Sequence, residues 1–237
     1  MCAIFRSLCL MAAITATSVG HQSSNKIQAR IVVSDAQIAT CDESGPMVVR
    51  RPILVSPNGH RAYAEILSNG HAGGACSNTS KLFVKLLHEK EFRIAYVQAP
   101  SKSADLNDIK IVDWSRNNRY LLADLVIGQW GSDFGGNIPI LYDVQTGTLM
   151  RQVDFNAALK AYFDKQCSIN PAIELLGFAP SSNVVIGVKP ARDMVEGSLE
   201  PDSCIKSEQL LLLNSATHTI SPYAGNSQIQ KYGRTLK

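Results

Sequence analysis

Between Ile53 and Glu65 the chain reads ILVSPNGHRAYAE, between Val112 and Asp124 it reads VDWSRNNRYLLAD, and between Leu176 and Val188 it reads LGFAPSSNVVIGV. Aligned without gaps, Ile53, Val112 and Leu176 share one position, and Val55, Trp114 and Phe178 share the position two residues on. Period two marks a strand with one buried face. The turn formers Pro57-Asn58-Gly59, Arg116-Asn117-Asn118 and Pro180-Ser181-Ser182 follow, each short enough to reverse the chain directly. A second apolar run comes next in each window (AYAEIL, LLADLVI, VVIGV), so three matched hairpins are predicted.

Each hairpin is followed by a longer polar stretch and then by another hairpin. KLFVKLL and FRIAYV flank His88-Glu89-Lys90, IPILYDV and TLMRQV flank Gln145-Thr146-Gly147, and LLLLN and HTISPY flank Ser215-Ala216. The predicted unit is therefore four antiparallel strands, repeated three times. Such recurrence is the signature of propeller-type repeats. SPNGHRAYAE, WSRNNRYLLAD with ILYDVQTGTL, and APSSNVVIGV resemble the blades of TolB-like and WD40-like β-propellers. The resemblance spans about Ile53 to Tyr223 and implies an all-β, β-propeller-like fold with three recognisable blades. Closed propellers need at least four blades. QARIVVSDAQIA and NSQIQKYGRTLK, at the two ends, are the material for a degenerate fourth. A small closed ring, an open fan of three sheets and an oligomer all fit the pattern.

One short helix is expected between the second and third units. In DFNAALKAYFDKQC, Phe155, Leu159, Tyr162 and Phe163 form a single apolar stripe, and Asp154 is placed to cap the start of a helix over about 155–166.

The first twenty residues, MCAIFRSLCLMAAITATSVG, carry one basic residue, an apolar run and small residues before Gly20, which is the layout of a secretory signal peptide. Residues 21–237 then form a single domain, secreted or periplasmic, with no membrane span expected. Net charge falls from +3 to about +2 when Arg6 is removed (3 − 1), with both signs scattered, so no nucleic-acid footprint is present. Cys41, Cys76, Cys167 and Cys204 survive processing, an even count that reads as two disulfides in an exported chain. Spacing favours Cys41 with Cys76 and Cys167 with Cys204, each pair bracketing one repeat. Loops of about 35 residues closed this way contribute about 3–4 kcal/mol each in the chain-entropy model.

Antiparallel order puts the short turns at one end of every unit and the long connections at the other. Long loops on a rigid scaffold are where binding concentrates. In the glycine-rich GQWGSDFGGN, Trp130, Asp133 and Asn137 offer a stacking ring and hydrogen-bonding groups, and His71 sits in the corresponding NGHAGGAC. Glu65 and Asp124 align on a strand whose two faces are normally covered. Each is read as a structural acid that needs a partner, such as an arginine from a neighbouring unit. Asp193, Glu196, Glu200 and Asp202 do not have the spacing of a calcium loop, and no metal or cofactor is expected. No GxSxG, HExxH, GxGxxG or GxxxxGK stretch is present. Asn78-Thr79-Ser80 is a glycosylation acceptor, meaningful in a eukaryotic source. The expectation is a non-catalytic binding or scaffold protein that uses its long-loop face for a protein, peptide or glycan. A glycan- or peptide-acting hydrolase or lyase, and a structural envelope component, are the alternatives.

Overall fold

The computed structural model describes residues 30–33, 46–70, 76–131, 135–163, 171–190, 205–225 and 229–236. The first sheet holds β1 (Arg30–Val33), β2 (Met47–Arg50), β3 (Leu54–Val55), β4 (Arg61–Gly70), β5 (Cys76–Lys85) and β6 (Arg93–Gln98). The second is a meander of β7 (Leu106–Trp114), β8 (Tyr120–Gly128), β9 (Gly135–Asp143) and β10 (Leu149–Met150). After α1 (Gln152–Phe163) comes a third, of β11 (Ala172–Phe178), β12 (Val184–Lys189), β13 (Gln209–Leu213) and β14 (Ile220–Pro222). The three repeated antiparallel units are present. In the first, β2 and β3 together occupy the place of one strand, since both pair with β4.

The sheets stack face to face in chain order, because alternation gives the middle sheet two apolar faces. Leu121, Ala123 and Leu125 pack with Ala62, Ala64, Leu82 and Val84 of the first sheet. Tyr120 and Leu122, on the opposite face of β8, pack with Ile173, Leu175, Phe178 and Ile186 of the third. Phe155 and Leu159 of α1 are fully buried in that second core. Asp154 does not cap the helix. It lies in the first turn, and its Oδ2 accepts a bond from the Arg151 backbone N–H (2.8 Å), the back-reaching half of a capping box. No helix among the described residues is long and apolar enough to cross a membrane.

Each first hairpin turns the same way. Backbone bonds Gly59 N to Ser56 O, Asn118 N to Ser115 O and Ser182 N to Ala179 O close three equivalent turns. The last residue of each is left-handed, with φ of 96°, 61° and 65° at Gly59, Asn118 and Ser182. A turn followed by a left-handed residue matches strand twist in short hairpins. Gly59→Ala should cost about 1 kcal/mol, since alanine at this φ is strained, and urea melts of the two proteins check it. The tips also touch one another. Asn58 N donates to Asn118 Oδ1 (2.9 Å), and Asn117 N donates to Ser182 Oγ (3.2 Å). The three units thus share one polarity, with their first turns gathered at one end.

The expected fourth blade is not formed by the described termini. β1 pairs parallel with β2, and β15 (Arg234–Thr235) pairs antiparallel with β3, so both ends extend the first sheet. The first strand of each unit is irregular. β7 bulges between Ile111 and Asp113, β11 bulges between Leu175 and Gly177, and the first unit breaks between β2 and β3. Val112, Leu176 and Ile53 sit at these irregularities, the aligned positions of the repeat. A bulge leaves backbone groups unpaired, and the C-terminal segment contacts all three strands at or near these irregularities. Leu236 N donates to Ile53 O (2.9 Å), Lys231 Nζ donates to Val112 O (3.2 Å), and Gln230 bridges to Phe178. The tail is a strap across three inner strands.

Candidate functional site

The ends of β4 and β5, of β8 and β9 and of β12 and β13 that carry the long connections lie opposite the gathered turns. Trp130 N donates to Asp105 Oδ1 (2.7 Å) and Asn78 N to Asp105 O (2.8 Å), joining the first two units there. Between the second and third units the same end opens into a cleft of about 530 Å³. Asp124 of β8, Gly135, Gly136 and Asn137 of β9 form one wall, and Ala172 to Leu175 of β11 with Lys189 of β12 form the other. Ile173 and Leu175 are buried apolar residues and make the floor.

Asp124 is at the centre of this arrangement for a periodic reason. It shares a face of β8 with Tyr120 and Leu122, which point into the core against the third sheet. Its Oδ1 is buried and has no hydrogen-bond partner among the described residues. Burial raises its pKa to about 6, Lys110 directly opposite on β7 opposes that rise, and Glu174 adds to it. A folded-state pKa above the unfolded value means the folded protein holds the proton more tightly. The associated stability is present below about pH 4 and is lost as pH rises through about 6. Asp124→Asn should therefore stabilise the protein by about 2 kcal/mol at neutral pH. Thermal melts across pH check it, the gain vanishing on acidification.

Glu174 carries its own compensation, since Lys189 Nζ donates to its Oε2 at 2.9 Å and lies 3.7 Å from Glu208 Oε1. These three side chains are about half exposed and form a charged rim. The partners of Glu65 are simpler. Arg50, on the adjacent strand of the same sheet and not on a neighbouring unit, donates to its Oε2 (3.0 Å) and lies 5.0 Å over the Tyr63 ring.

Of the sequence-derived ligand residues, Asn137 lines the cleft beside Asp124. Trp130 is 48% exposed at the same end but is not part of the cleft lining. His71 and Asp133 lie outside the described residues, as do Cys41, Cys167, Cys204 and the acids Asp193, Glu196, Glu200 and Asp202. Cys76 is buried in β5, and the pairing expected for it with Cys41 lies outside the described residues. Asn78 is fully buried in β5, facing the second sheet, so the glycosylation acceptor is inaccessible in the folded chain. Glu174 and Lys189 were missed. In AIELLGF the alternation shows Glu174 pointing away from the core, but nothing in one strand tells which acid it meets.

A smaller cleft of about 280 Å³ lies at the turn end, lined by Arg119, Asp143, Asp154 and His218 among others. Its carboxylate is already engaged: Asp143 accepts from Arg119 Nε and Nη2 and from the backbone of Gln145 and Thr146. Those bonds hold Asp143 below the usual carboxylate range against the opposing effect of burial. Asp143 thus acts as a turn lock. No group of three or more His, Cys, Asp or Glu side chains among the described residues could hold a metal ion. No family model, no curated protein and no solved structure matches this chain, so its function has to be derived from its own residues.

Proposed function

We propose that the protein is an exported, propeller-like binding or scaffold protein without catalytic activity, meeting a protein, peptide or glycan partner with its long-loop end. The observation that supports this reading is the tip-to-tip bonding of the three first turns through Asn58, Asn118, Asn117 and Ser182. With the tips gathered, the variable connections and the larger cleft fall together at the far end, on a scaffold fixed by two apolar cores. Rigid sheets carrying elaborated loops are a common basis for recognition. The export signal in residues 1–20 is part of the same proposal, and N-terminal sequencing of the mature protein tests it.

Site-specific photo-crosslinking tests the binding end. Cross-linkers placed at Trp130, Gly136 and Lys189 should capture a partner from native extract, and those at Pro57, Arg116 and Pro180 should not. Capture from the turn positions alone, or from neither set, overturns the reading.

A second reading is favoured by one observation: Asp124, with its raised pKa, shares a cleft with a second carboxylate, Glu174. Paired acids in different environments are the arrangement of general acid–base hydrolysis. Turnover of a glycoside or peptide substrate that disappears in Asp124→Asn would establish it in place of the binding reading.

A further inference from the structure

Among the described residues the charges around the cleft do not balance. Asp124 on β8, Glu174 on β11 and Glu208 before β13 face Lys110 on β7 and Lys189 on β12, three carboxylates against two ammonium groups. Lys189 is shared by Glu174 and Glu208. Lys110 stands opposite Asp124 in register but makes no ion pair with it among the described residues, and it borders a separate cavity with Arg51, Pro52 and Thr235. Among the described residues one negative charge is left over, and it falls on the acid whose Oδ1 is buried without a donor among them. A buried acceptor in that state costs free energy until a donor arrives.

We propose that this cleft receives a single cationic group, the ammonium or guanidinium of a lysine or arginine side chain in a peptide partner, docked on the buried oxygen of Asp124. The proposal rests on the long-loop end being the binding end and names the chemistry recognised there. The lining fits such a side chain along its whole length. Ile173 and Leu175 give an apolar floor for a methylene stem, which buries readily while its charged head is paired. The Asn137 amide stands beside the head, and the absence of side chains at Gly135 and Gly136 leaves their backbone open at the wall. The cleft volume, about 530 Å³, lies in the range of small-ligand pockets.

Other ligand chemistries fit less well. An anionic ligand would approach two carboxylates on the walls, one of them without a paired cation. A neutral polyol would satisfy Asp124 Oδ1 but leave the excess charge in place. A divalent ion needs several oxygen ligands, and only one carboxylate here is not already shared with a lysine.

These classes respond differently to pH. A cation binds the ionised form of Asp124, whose pKa of about 6 is set by burial, with Lys110 and Glu174 acting in opposite directions. Apparent affinity is scaled by the fraction in the competent form, so it should fall about tenfold between about pH 7.5 and about pH 5. A neutral polyol should show little change, and an acidic ligand should bind better at the lower pH.

The test is an NMR titration of the isotope-labelled mature protein with Nα-acetyl-lysine methylamide and with its uncharged isostere, Nα-acetyl-norleucine methylamide. Amide shifts of Gly135, Gly136, Asn137 and Ala172 are followed at both pH values. The inference expects saturable shifts with the lysine probe only, about tenfold weaker in acid, and lost in Asp124→Asn. Equal shifts from both probes, unchanged binding in Asp124→Asn, tighter binding in acid, or no saturable shift each overturn it. The wild-type pH series carries the test even if the variant misfolds. Crosslinks at the long-loop end together with a silent lysine probe would sink this inference alone. Crosslinks confined to the turn end would sink the binding-end reading itself.

Discussion

Asp113→Ala is expected to destabilise the fold by about 3–5 kcal/mol and to release the C-terminal strap. Asp113 is 1% exposed and stands just past the bulge in β7. Its carboxylate accepts three backbone bonds: from Trp114 N (2.8 Å), Tyr232 N (3.0 Å) and Gly233 N (2.7 Å). Bonds to an ionised acceptor are stronger than neutral ones, and removing the acceptor strands buried donors. The strap fits too closely to re-form elsewhere. A Cβ on Gly233 would come within 2.8 Å of Leu54 and 3.0 Å of Asp113, and one on Gly177 within 2.8 Å of Ile229. Urea denaturation measures the loss. Limited proteolysis separates this from general weakening, since cleavage after Lys231 and Arg234 should appear under conditions in which the rest of the chain stays intact. Asp113→Asn keeps one acceptor oxygen and should lose markedly less.

Arg51→Ala is the second large effect, at about 3–5 kcal/mol. Arg51 lies in the break between β2 and β3 and donates from its guanidinium to Asp108 Oδ2 on β7. Asp108 is 1% exposed and Arg51 9%, so the pair is a buried charge bond from the first unit to the inner strand of the second. Removing the cation leaves a carboxylate in the interior, and that uncompensated charge, more than the lost bond, sets the magnitude. Replacing both partners by apolar residues, Arg51→Met with Asp108→Leu, should recover most of the stability. Denaturation midpoints of the two single variants and the double variant form the cycle that checks it.

How much of this was legible depends on which groups carry the information. The strands were readable because Val55, Trp114 and Phe178 recur at the same offset from equivalent turns, and all three side chains are buried. The turns were readable because Gly59, Asn118 and Ser182 end short polar runs. The strap was not, since NSQIQKYGRTLK is short and polar and docks on the Asp113 carboxylate and on the carbonyls of Ile53 and Val112. Side-chain patterns carry no record of a free carbonyl. The split first strand was hidden likewise. Arg51-Pro52 reads as a loop, yet Arg51 is drawn inward by Asp108, 57 positions away. At the cleft, Asn137 and Asp124 were each marked by position, one in a glycine-rich loop and the other on an inner strand. Their meeting with Glu174 and Lys189 comes from the packing of two sheets, which no local period encodes.

Local features cover the outer edges of the described sheets. The outer strand β14 is short and ends in Pro222, which lacks the donor for edge pairing. Arg93 of β6 donates to Tyr142 Oη (2.6 Å) and Val144 O (3.0 Å), so the outer rim of the first sheet is pinned to the second. With the strap holding the inner strands and these contacts the rim, the described residues form an ordered stack without a fourth sheet.

Spin-label distances measured between Pro57, Arg116 and Pro180, and from each of them to Lys189, test the shared polarity of the three units most directly. Three mutually short distances are expected among the turn positions. Each is expected to be separated from Lys189 by about the length of a strand, roughly 20–30 Å for six to nine residues. A turn position found beside Lys189, or far from the other two, would contradict it.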